Sequence, residues 1–107
     1  MENKFQLEYN PRVVENARKF LHRYWGDEGQ LETIGEDMKD TLSYAPHLVV
    51  NGLKSLKSLL DMPLPEGFLL QIVTYDANNP LDELNDAGAK AWVEEMIEFI
   101  EQLLPSP

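Results

Sequence analysis

The sequence predicts an all-α fold, a compact bundle of about five helices. Three observations support this. Apolar residues recur at spacings of three and four along most of the chain. Pro and Gly cut it into five apolar segments. No segment alternates with the period of two that a half-buried strand needs. The 107 residues fit one domain, taken here as 1–107. With 43% hydrophobic residues, a chain of this size can bury roughly two-thirds of its unfolded surface.

The first helix is read from Asn10 to Trp25. Asn10 suits an N-cap and Pro11 suits the first helical position, where no N–H is needed. Val13, Ala17, Phe20, Leu21 and Tyr24 form its apolar stripe, and Glu15 and Lys19 make an i,i+4 pair. Gly26 is expected to end it in the left-handed conformation. The second helix spans Gln30 to Tyr44, with a thinner stripe of Leu31, Ile34, Met38 and Leu42. Gly35 inside it costs about 1 kcal/mol relative to Ala. Pro46 restarts the pattern, and Leu48, Val49, Leu53, Leu56, Leu59 and Leu60 form a broad face. Gly52 on that face permits close helix packing.

Met62-Pro63-Leu64-Pro65 is a stiff connector. Phe68 to Tyr75 reads as a buried strand by its β-branched end or as a short buried helix. Helix is preferred, because a lone strand would have no partner. Asp76 to Pro80 has the chemistry of a loop. Asp86 is expected to cap a last helix, Ala87 to Leu104, whose wide apolar face runs from Trp92 and Val93 to Leu103.

Composition narrows the function. Nine basic and nineteen acidic side chains give a net charge of −10. That disfavours direct binding to nucleic acid or to an anionic membrane surface. Without Cys there is no disulfide, thiolate metal site or Cys nucleophile. The start of the chain shows no charged segment leading into an apolar run, and no apolar run approaches the ~20 residues of a spanning helix. The expectation is a cytoplasmic protein.

No catalytic or cofactor signature appears. His22 and His47 lack ligand partners at metal-binding spacings. The Asp76–Asp82 stretch has alternating oxygen ligands, but Leu81 and Ala87 stand where a calcium loop needs Gly and Glu. There is no phosphate-binding Gly-rich loop, and no Ser has a nucleophile context. The chain is therefore read as a non-enzyme with no cofactor and no metal.

The distribution of charge is more informative. Residues 1–60 carry eight bases against nine acids, a net of −1. Residues 61–107 carry ten acids against Lys90 alone, a net of −9. Glu94, Glu98 and Glu101 fall at i, i+4 and i+7 on one helical ridge, with Glu95 beside it and Lys90 four residues before Glu94. Like charges at that spacing cost a few tenths of a kcal/mol per pair. Such a ridge is either a solubilising face or a docking surface for a basic partner. The docking surface is assigned to Asp82, Glu83, Asp86, Glu94, Glu95, Glu98 and Glu101, with Tyr75 as an anchoring aromatic. Arg12, Arg18, Lys19 and Arg23 lie on the polar side of the first helix. They offer an anion site, or they offset the acidic half within the fold or within a homodimer.

Three stretches carry a family resemblance: Ser43-Tyr44-Ala45-Pro46-His47-Leu48-Val49-Val50, Pro65-Glu66-Gly67-Phe68-Leu69-Leu70 followed by Asp76-Ala77-Asn78, and Gly88-Ala89-Lys90-Ala91-Trp92-Val93. Over residues 43–104 the chain resembles the immunity proteins of bacterial contact-dependent growth inhibition systems. The resemblance implies a cytosolic inhibitor that binds and blocks one cognate toxin domain. Many such toxins are nucleases with basic surfaces, for which an acidic ridge imitates nucleic-acid phosphate. Three other readings stand beside this one: a small acidic interaction or regulatory adaptor module with no toxin partner, a small metal-dependent or acid/base enzyme, and a homodimer formed through apolar helices.

Overall fold

A computed structural model describes residues 10–26, 30–76 and 85–104. They form five helical segments and no strand. These are α1 (Pro11–Trp25), α2 (Leu31–Tyr44), α3 (Pro46–Asp61), α4 (Phe68–Gln71, continued by a wide π turn over Ile72–Asp76) and α5 (Asp86–Leu103). The all-α expectation is met, and Phe68 to Tyr75 is helical.

The start of α1 follows from local chemistry. The Asn10 side-chain oxygen accepts from the N–H groups of Arg12 at 3.0 Å and Val13 at 3.4 Å, and Pro11 occupies the first position. The end differs from expectation. Gly26 stays right-handed (φ −59°) and its N–H donates to the His22 carbonyl. Its amide therefore extends the helical ladder instead of reversing the chain. The expected stripe is buried except at its first residue, and it is wider than expected. Val14 and Trp25 are buried with Ala17, Phe20, Leu21 and Tyr24, while Val13 is half-buried.

The third helix is the spine, since α1, α2 and α5 all pack on it. Val49, Leu53, Leu56 and Leu59 are buried, while Leu48 is exposed and Leu60 half-buried. At Gly52 the ring of Phe20 from α1 packs directly on α3: a Cβ there would overlap it. Gly35 of α2 has a similar purpose. A Cβ on it would stand 3.2 Å from Cζ of Phe99 on α5, tighter than an ordinary contact. The helix-propensity cost of Gly35 is thus offset by the approach of α5.

Polar groups inside the bundle are few. Thr41 is buried where the sequence suggested only a thin stripe. Its hydroxyl accepts from the Tyr24 hydroxyl at 2.9 Å and donates to the Asp37 carbonyl at 3.1 Å. This bond ties α1 to α2. Leu31, expected on the stripe, is exposed. Trp25 packs edge-on against Trp92 of α5 with ring centroids 5.9 Å apart.

Gly52→Ala is expected to destabilise the protein by about 1–3 kcal/mol, because the gain in helix propensity is smaller than the strain of displacing a packed ring. Urea denaturation checks this. An unchanged or raised midpoint would show that Phe20 moves freely.

Candidate interaction surface

The assigned acids do not behave alike. Asp82 and Glu83 lie outside the described residues. Asp86 is the first residue of α5 and Asn85 is the cap, its side chain accepting from the Gly88 N–H at 2.8 Å. The expectation that Asp86 caps its own helix is corrected. Asp86 reaches across to α4 instead. Its carboxylate accepts from the Gly67 N–H at 2.6 Å and the Leu70 N–H at 3.0 Å. These donors lie at the entrance of α4, where N–H groups have no partner within the helix. Gly67 presents its amide from the left-handed region, φ 83°, which suits glycine. A half-buried carboxylate with two backbone donors is a structural cap, unsuited to meeting a partner.

Glu101 is also engaged. It pairs with Lys57 of α3 at 2.7 Å, with each side chain about half exposed. Glu94, Glu95 and Glu98 are exposed and make no ion pair within 4.0 Å among the described residues. The expected compensation of Glu94 by Lys90 is not formed. The free part of the ridge is therefore three glutamates of α5, out of the five assigned acids that lie among the described residues.

Tyr75 is 73% exposed, as an anchor requires. It lines a shallow groove with Pro65, Glu66, Phe68, Leu70 and Thr74. No α5 residue lines that groove, so Tyr75 and the glutamates do not share one cleft. The π turn that carries Tyr75 is held by the Thr74 hydroxyl, which donates to the Leu70 carbonyl at 2.9 Å. It ends at Asp76, whose carboxylate accepts from Nε of Arg18 on α1 at 2.8 Å. That pair joins two segments 58 residues apart, and spacing along the chain offers no signal for it.

Arg18, Lys19 and Arg23 of α1 border a concavity of about 670 Å³ between α1 and α4. The expected Glu15–Lys19 pair is present at 3.6 Å. His22 and His47 are both exposed. Among the described residues no three His, Asp or Glu side chains converge as metal ligands, and no helix is long and apolar enough to cross a membrane.

The chain matches no family model, no curated protein and no solved structure.

Asp86→Ala is expected to cost about 1–2 kcal/mol, as for a lost helix cap. Amide hydrogen exchange at Gly67 and Leu70 would accelerate more than elsewhere in the bundle. Unaltered exchange at those two amides would contradict the capping role.

Proposed function

We propose that the chain is a non-enzymatic binding protein of the immunity type, which neutralises a cognate toxin domain by covering its basic surface. The observation that carries this is the ridge of Glu94, Glu95 and Glu98, exposed on α5 without a basic neighbour in ion-pair range among the described residues. Three other carboxylates are engaged, Asp76 with Arg18, Asp86 with the α4 amides and Glu101 with Lys57, whereas Glu32, Glu36, Asp37, Asp40, Asp61 and Glu66 are exposed without an ion pair among the described residues, as the ridge is. Uncompensated like charges on one helix face raise the free energy of the isolated protein slightly. A basic partner would relieve that repulsion and be steered toward the ridge.

The resemblance of residues 43–104 to immunity proteins of contact-dependent growth inhibition supplies the partner class. In this reading inhibition is steric and electrostatic, with the three glutamates setting on-rate and specificity. Glu101 and Asp86 hold the ridge in place, since both tie α5 to its neighbours. Cytoplasmic residence follows from the reading as part of the same proposal.

The Glu94→Lys/Glu98→Lys double variant is expected to weaken binding of the basic partner at least tenfold while leaving helicity intact. The check is to co-express the chain with a basic nuclease toxin domain of a contact-dependent growth inhibition system and measure growth rescue and affinity at two salt concentrations. Rescue by the wild-type chain and its loss in the variant support the reading. Equal affinity of the variant would remove the ridge from the mechanism.

A further inference from the structure

The groove between α1 and α4 has the opposite character to the α5 ridge. Helix α1 carries Arg12, Arg18, Lys19 and Arg23 against Glu15 alone, in a chain of net charge −10. Arg18 is engaged by Asp76, whose side chain is only 17% exposed, and this bond holds α1 against the end of α4. Lys19 pairs loosely with Glu15 at 3.6 Å, both side chains being well exposed. Exposed pairs of that kind contribute little and are easily exchanged. Arg23 makes no ion pair among the described residues, and its guanidinium lies 5.5 Å from the centroid of the Tyr24 ring. That placement suits a cation–π contact and restrains the side chain.

The groove floor is apolar. Val14 and Phe68 line it together with Lys19, His22 and Arg23, and the two carboxylates that also line it, Glu15 and Asp76, are each paired with a base, Lys19 and Arg18. Phe68 also lines the neighbouring groove that holds the exposed Tyr75, so the two form a continuous surface. Tyr and Arg are the residue types enriched where interfaces gain most of their energy.

We propose that this groove docks an acidic segment of a partner protein, with an apolar side chain seated on Phe68 and carboxylates meeting Lys19 and Arg23. The charge and the floor select the occupant together. A basic segment would place like charges against Lys19 and Arg23. A small inorganic anion would gain nothing from Val14 and Phe68. Lys19 and Arg23 lie one helical turn apart, so they match two carboxylates separated by about 6 Å.

The test uses a fluorescein-labelled helical peptide with two glutamates four residues apart beside a leucine, and a control with lysines replacing the glutamates. Fluorescence anisotropy is read against the full chain. Saturable binding of the acidic peptide below millimolar concentration is expected, at least tenfold weaker in Lys19→Glu/Arg23→Glu and in a leucine-to-serine peptide. Glu94→Lys/Glu98→Lys should not weaken it, which separates this groove from the α5 ridge. Circular dichroism should show both double variants folded. Four results would each overturn the proposal: no saturable binding, equal binding by the lysine peptide, equal affinity in Lys19→Glu/Arg23→Glu, or full competition by inorganic phosphate alone. A concentration-dependent doubling of mass abolished by Lys19→Glu/Arg23→Glu would assign the groove to a second copy of the chain and would also overturn it.

Discussion

The contact of the Phe20 ring with Gly52 governs the arrangement of the bundle. It brings α1 against α3 at a point where any side chain would overlap the ring. With α1 fixed there, Tyr24 reaches Thr41 on α2 and Arg18 reaches Asp76 at the end of α4. The α3 helix also packs against α5. It therefore carries the helix richest in bases and the helix richest in acids. The charge asymmetry along the sequence becomes an asymmetry between two surfaces of one small molecule.

The acids divide by what they touch. Asp76, Asp86 and Glu101 each bridge two segments, so they act as fastenings between helices. Glu94, Glu95 and Glu98 bridge nothing among the described residues. The same holds for Glu32, Glu36, Asp37, Asp40, Asp61 and Glu66, so what sets the ridge apart is how its helix is held. A solvated acidic face needs no internal order, but here one set of carboxylates holds the helix that presents the other. The pair of Lys57 with Glu101 anchors α5 on α3, and Asp86 anchors its start on α4. The ridge between those points is thereby held at a fixed orientation, which lowers the entropic cost of meeting a rigid partner.

Much of the fold was legible because its causes are local. Asn10 followed by Pro11 sets a helix start by chemistry within three residues, and the structure places it there. Gly52 stood out as a small residue on an apolar face, which is the pattern a close crossing needs. The site was less legible. Asp86 looked like a cap for the helix it begins, but its carboxylate serves amides nineteen and sixteen residues earlier. Nothing in its neighbours distinguishes those two uses. Thr41 gave no signal in the sequence, yet a hydroxyl from α1 satisfies it inside the core. Gly26 followed a rule of frequency rather than of necessity, and the helical ladder simply continued through it. The α1 bases were visible as a ridge, whereas the apolar floor beside them depends on Phe68 arriving from a distant segment.

The measurement that tests the central claim most directly compares two neutralised triple variants by urea denaturation. One is Glu94→Gln/Glu95→Gln/Glu98→Gln, and the other is Asp76→Asn/Asp86→Ala/Glu101→Gln. The division of the acids predicts that the first keeps or slightly gains stability, because like-charge repulsion is relieved. The second should lose about 2 kcal/mol, most of it from the cap at Asp86 and less from the two partly exposed ion pairs. Equal losses in the two variants would contradict the account, since the ridge glutamates would then be part of the scaffold rather than a surface kept free for a partner.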